Sequence, residues 1–138
     1  MSTAFARVVS VLSRIDRTKV FDELASWPEP DIIRACTEAG WSKTDIIRAC
    51  TEAGWSTDVV VKACIQAGWS KTEVVGEVGN FPVYDDEDII RTCIQVGWSK
   101  NEVVKAYTET GHDRHGVILF LIGAGWTDDE IVEAYTTQ

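Results

Sequence analysis

No hydrophobic run in this sequence is long enough to cross a membrane as a helix. A spanning helix needs roughly 20 consecutive apolar residues, whereas the longest apolar run, VILFLI, covers only residues 117–122. The apolar stretch at residues 4–12 is interrupted by Arg7 and has no cleavage-like sequence after it, unlike a secretory signal peptide. We therefore expect a cytoplasmic protein that does not engage membranes.

The familiar catalytic and cofactor motifs are also missing. The sequence contains no nucleophile elbow, phosphate-binding loop, zinc signature or convergent pair of acids. Its serines and threonines stand where helix caps are expected. A repeated sequence multiplies residues uniformly, whereas catalysis needs one asymmetric constellation. These observations predict a protein without enzymatic activity, bound cofactor or metal.

What the sequence does contain is a tandem unit of about fourteen residues. Residues 31–42 and 45–56 carry the same twelve letters, DIIRACTEAGWS. Related copies stand at 59–70, 88–99, 73–84, 102–113 and 130–138. All six tryptophans share one position of the unit: Trp27, Trp41, Trp55, Trp69, Trp98 and Trp126. Tyr84 and His112 replace tryptophan in two weaker copies, and this regularity indicates a repeat protein.

Each unit reads as one short helix with both ends marked. Ser42 is placed to cap the helix start, and Asp45 stands at the third helical position, where an acid favours the helix dipole. Trp41 and Ile46 have the spacing of a hydrophobic staple. Gly54 supplies the left-handed residue that ends the helix. A helix of about ten residues is marginal alone, so its apolar stripe must pack on neighbouring units.

These features predict an all-α, solenoid-like stack of short helices, one per 14-residue repeat, with an N-terminal capping helix. We expect residues 1–26 to form capping helices and residues 27–138 to form the repeats, within one structural domain. The interruption falls near 76–88, where Gly76, Gly79 and Pro82 weaken or break the helix. Residues 117–122 are interpreted as a buried penultimate helix, with a dimer interface as the alternative.

Cysteine and histidine receive structural interpretations. The cysteines share one repeat position and form no CxxC pair: Cys36, Cys50, Cys64 and Cys93. Neighbouring helix axes lie about 8–10 Å apart, which exceeds the Cα separation of about 7 Å that a disulfide tolerates. We expect small buried hydrophobes rather than disulfides or metal ligands. His112 and His115 flank Asp113, which stands at a predicted cap, and His115 falls in the first turn. This placement favours local cap and turn roles over metal binding.

Two charged segments are candidate partner-binding sites. The first, the basic ribbon, occupies the sixth position of five helices: Arg34, Arg48, Lys62, Arg91 and Lys105. It suits phosphates or an acidic partner, unless acids three residues earlier neutralise it within each helix. The second is the acidic segment Asp85, Asp86 and Glu87, followed by Asp88. It is either an overcharged helix start or a protruding loop that touches a partner.

The charge distribution leaves several functions open. Net charge is −9, yet residues 1–20 carry about +3, so the remainder carries about −12. The leading hypothesis is a protein-interaction module, as scaffold, adaptor or inhibitor, whose protein partner the sequence does not name. One alternative is nucleic-acid related: phosphate binding by the basic ribbon, which net charge disfavours, or an acidic mimic that inhibits a DNA- or RNA-binding protein. Another is self-assembly, as a homodimer or head to tail.

Overall fold

The computed structural model describes residues 4–136. These residues form helices joined by short turns, and they contain no strand. α1 (Ala4–Asp16) is followed by a 3₁₀ turn (Arg17–Lys19) and the one-turn helix α2 (Val20–Glu23). The repeat helices are α3 (Glu29–Glu38), α4 (Lys43–Glu52), α5 (Thr57–Gln66), α6 (Lys71–Val78), α7 (Asp86–Gln95), α8 (Lys100–Glu109), α9 (Arg114–Gly123) and α10 (Asp128–Thr136). The all-α prediction is confirmed. None of these helices is long and apolar enough to span a bilayer.

The chain divides into two compact units, one ending at Gly68 and the other beginning at Trp69. In unit 1, α3 packs against both α1 and α5. In unit 2, α8 packs against α6 and α10, and α7 packs against α9. For these helices the main partner is therefore the next but one along the chain, whereas α4 packs chiefly against the adjacent α3. The boundary lies within the copy at 59–70 rather than at 76–88, and a single structural domain stays a prediction.

The helix ends follow the predicted signals. The Ser42 hydroxyl accepts a hydrogen bond from the Asp45 amide at 3.1 Å, and Ser70 and Ser99 take part in complete capping boxes. Gly54 adopts a φ of +79° after α4, and the amide that follows it donates back to the Cys50 carbonyl at 3.0 Å. This pairing is the Schellman arrangement, which satisfies carbonyls that a helix end leaves free.

The buried face of α4 is narrower than its predicted apolar stripe, which consists of Ile46, Ile47, Ala49, Cys50 and Ala53. Ile46, Ile47 and Cys50 are fully buried, whereas Ala49 is half-buried and Ala53 is exposed. Most tryptophans are also half-buried rather than buried, with Trp98 the most enclosed of the six. Each indole lies in a turn between helices, and a basic side chain covers one side of two of the rings, those of Trp41 and Trp98.

The prediction that residues 117–122 are buried holds for one side of α9 only. Val117 and Leu121 are fully buried, while Leu119 and Ile122 are 64% and 53% exposed. Six consecutive apolar residues surround the whole circumference of a helix, because successive residues turn by about 100°. The described neighbours α7, α8 and α10 cover only part of that circumference.

Candidate interaction surfaces

Two arginines of the basic ribbon, Arg34 and Arg91, form contacts through both terminal nitrogens of the guanidinium group. Arg91 pairs with the Asp88 carboxylate at 2.8 Å and also donates to the Gly123 carbonyl, again at 2.8 Å. Arg34 likewise pairs with Asp31 at 3.0 Å and donates to the carbonyl of Gln66. Gln66 and Gly123 are the last residues of the helices next but one, where carbonyls lack helical partners and a cation is favoured.

The remaining ribbon residues are paired more locally. Arg48 lies 3.3 Å from Asp45, which also binds Arg17 at 3.0 Å. Lys62 pairs with Asp58 four residues earlier, at 3.1 Å, because a valine stands at the third helical position of α5. Lys105 is exposed on α8. The predicted pairing with an acid three residues earlier is thus observed for Arg34, Arg48 and Arg91. Sequence reasoning missed the arginine-to-carbonyl bonds because they join residues 32 apart.

The acidic segment begins α7 instead of forming a separate loop. Asp85 precedes the helix and is exposed, and its carboxylate makes no capping hydrogen bond. Asp86 is half-buried and accepts a hydrogen bond from the Tyr107 hydroxyl at 3.0 Å. Burial raises the pKa of Asp86, an effect that the Tyr107 hydrogen bond and the nearby His112 partly oppose. The Glu87 side chain lies against the backbone of Gly123, where an added Cβ would clash with it.

The cysteines are buried thiols without disulfide partners. Burial raises the pKa of Cys36, Cys64 and Cys93 to about 12 and raises that of Cys50 as well. Such thiols stay protonated and unreactive at neutral pH, which fits the packing role predicted for them. Among residues 4–136, no group of three or more histidine, cysteine or acidic side chains is arranged to hold a metal ion.

Basic side chains cover tryptophan rings at matching places in the two units. In unit 1 the Arg17 guanidinium lies 4.2 Å from the centre of the Trp41 ring and pairs with Asp45, four residues after that tryptophan. In unit 2 the Lys71 ammonium lies 5.5 Å from the Trp98 ring centre and pairs with Glu102, again four residues later, at 3.3 Å. Each combines a cation–π contact with an ion pair.

A cleft of about 480 Å³ opens between two other tryptophans of unit 1, Trp27 and Trp55. The buried side chains of Phe21 and Ile32 and the half-buried rings of Trp27 and Trp55 line it. The Phe21 and Trp55 ring centres are 5.2 Å apart. Two exposed carboxylates, Asp22 and Glu29, also line this Trp27–Trp55 cleft. The described residues of its lining include acids and aromatic rings but no lysine or arginine.

Large apolar side chains are exposed at α1 and at the last helices. Val8, Val11 and Ile15 lie on one side of α1, at 41%, 57% and 76% exposure. In unit 2, Val104 of α8 is fully buried, whereas Val132 at the matching position of α10 is 60% exposed. α8 packs against both α6 and α10, whereas α10 packs against α8 and α9.

Comparison with protein-family models, with curated proteins and with solved structures finds no match to this chain. The interpretation of its function therefore depends on the contacts described above.

Proposed function

We propose that this chain is a solenoid-like, non-enzymatic helical-repeat protein of the cytoplasm that acts as a protein-interaction module, as scaffold, adaptor or inhibitor. The observation that carries the proposal is the exposed apolar side of α1, formed by Val8, Val11 and Ile15. Soluble proteins seldom leave neighbouring large apolar side chains in water unless a partner covers them.

The charges beside this surface specify the partner. Arg7 and Arg14 are exposed and stand seven residues apart, so they lie on the same side of α1, beside the valines. A complementary surface is therefore apolar and bordered by carboxylates, because such a border steers association and excludes basic competitors. The partner we propose is a protein that presents this combination.

The test is a measured affinity for a partner first captured and identified by mass spectrometry, then purified. We expect Val11→Glu to weaken binding at least tenfold in isothermal titration calorimetry, because it places a charge in the apolar contact. Val83→Glu is the control, since Val83 is exposed in a turn of unit 2. Equal affinities for wild type and Val11→Glu would refute the proposal for this surface.

Self-assembly is a second candidate, because the chain itself carries a surface of the required kind. α10 exposes Val132 together with Asp129 and Glu133, and it contains no basic residue. α1 of one copy is complementary to α10 of another in both apolarity and charge. Sedimentation equilibrium at two concentrations tests this candidate: we expect a larger apparent mass at the higher concentration, and a strictly monomeric protein at both would exclude it.

The nucleic-acid alternatives have less support. Arg34 and Arg91, two of the five residues of the basic ribbon, already pair with a carboxylate and a carbonyl. Engaged guanidinium groups gain less from phosphate than free ones, because a contact must be given up. Direct binding predicts that the protein shifts the mobility of duplex DNA in a salt-dependent manner. The absence of a shift at low salt would exclude direct binding. The acidic-mimic alternative depends on the net charge alone.

A further inference from the structure

We propose that the Trp27–Trp55 cleft binds a cationic side chain, an ammonium or guanidinium group, supplied by a basic segment of a partner protein. This site is separate from the apolar side of α1, and it does not depend on the function proposed for that surface.

The chain itself shows which group fits beside these tryptophans. Lys71 is the first residue of α6, and it covers the tryptophan that precedes the helix next but one, Trp98. Lys100 begins α8 and reaches Glu130, the third helical residue of α10, at 3.3 Å. The repeat thus places the first residue of one helix beside the tryptophan and first-turn acid of the helix two places later.

At the Trp27–Trp55 cleft, the first residue of the corresponding helix is an acid instead of a lysine. Glu29 is the first residue of α3, and the helix next but one is preceded by Trp55. Glu29 and Trp55 both line the cleft, as the repeat geometry requires. Where Lys71 places an ammonium group beside Trp98, Glu29 places a carboxylate in the cleft that Trp55 lines, and this charge favours a cationic ligand.

The other groups of the cleft reinforce this preference. Asp22 adds a second carboxylate, and Val59 stands where Glu102 binds the cation in unit 2. An aromatic face attracts a cation through its quadrupole, and nearby carboxylates strengthen that attraction. The apolar lining at Phe21 and Ile32 suits the aliphatic stem of a lysine or arginine.

The experiment is a titration with acetyl-arginine amide, followed by nuclear magnetic resonance of the indole N–H groups. Trp27→Phe and Trp55→Phe variants assign the two signals. We expect both signals to shift in a saturable manner, to shift less at high salt, and to stay unchanged with the neutral acetyl-citrulline amide. Equal responses to the charged and neutral probes, or no response to either at tens of millimolar, would overturn the proposal.

The decisive variant is Glu29→Lys, which places a lysine where Lys71 and Lys100 stand in other units. We expect the chain to fill its own cleft and the affinity for the probe to fall at least tenfold. Asp128→Lys is the matched control, because it makes the same charge change at the first residue of α10. Glu29→Gln should weaken binding several-fold without introducing a cation. Asp128→Lys should bind the probe like wild type. If both Glu29 variants also bind like wild type, with circular dichroism showing folded protein, the site is refuted.

Discussion

Tyr107 is the residue at which the repeat departs most from its own pattern. It stands at the position of the cysteines, is fully buried, and lies beside the rings of His112 and Phe120. The sequence predicts a packing residue there. It does not predict the hydroxyl bond to Asp86, because that bond joins residues 21 apart in different helices.

We expect Tyr107→Phe to lower the free energy of unfolding by about 1–2 kcal/mol in urea denaturation, since Asp86 would lose the donor to its half-buried carboxylate. Tyr135→Phe is the control. Within residues 4–136 the buried Tyr135 hydroxyl has no hydrogen-bond partner, so its removal should leave stability unchanged or slightly increased. Equal losses for the two variants would contradict the assigned role of the Asp86 contact.

The raised pKa of Asp86 predicts how the stability of the fold depends on pH. Burial raises the pKa of this carboxyl above its ordinary value of 3.8, so the folded state favours the neutral acid. Ionisation therefore costs stability at neutral pH, and this cost disappears as pH falls through the folded pKa toward the unfolded value. We expect Asp86→Asn to be more stable than wild type at pH 7, with the difference vanishing below 3.8. A difference that grows on acidification would show the opposite sign of shift.

At the scale of single helices, the sequence predicts the structure well. The caps, first-turn acids and stop glycines act between residues at most five apart, so their signals are visible in one unit. The cleft was not predicted, nor were the contacts of Lys71 and Arg17 with tryptophan rings. Those contacts join a helix to the helix next but one. In a regular repeat every helix has the same residue pattern, so the sequence does not indicate which helices pack against each other.

Two glycines, one that ends a helix and one inside a helix, allow a direct comparison of the same substitution. Gly54 has a φ of +79° with open space around it, so Gly54→Ala is opposed by backbone strain alone. We expect a loss of about 1 kcal/mol in thermal unfolding. Gly116 also has open space but lies inside α9 without a positive φ. Gly116→Ala should stabilise by about 0.5 kcal/mol through helix propensity. Two changes of the same sign would contradict the role of the left-handed turn.

For the whole molecule, the two compact units share one rule of assembly, in which most repeat helices pack chiefly against the helix next but one in the same unit. Residues 31–42 and 45–56 are identical, so we expect the packing to tolerate the addition or removal of one 14-residue repeat. We expect deletion of residues 43–56, one complete unit, to leave a folded helical protein with reduced stability. Deletion of residues 43–49 removes half a unit and breaks the register of caps and glycines. Circular dichroism should show cooperative loss of helix in the shorter deletion only.

The hydrogen bond from the Trp41 indole to Ser13 spans 28 residues, and this short reach has a consequence during synthesis on the ribosome. At roughly 5–20 residues per second, a chain extends by that length in about 1–6 seconds. An emerging helix therefore meets its main partner within seconds of translation, before the second unit is complete. Burial proceeds in step with elongation, which keeps short the time that apolar helix faces are open to aggregation.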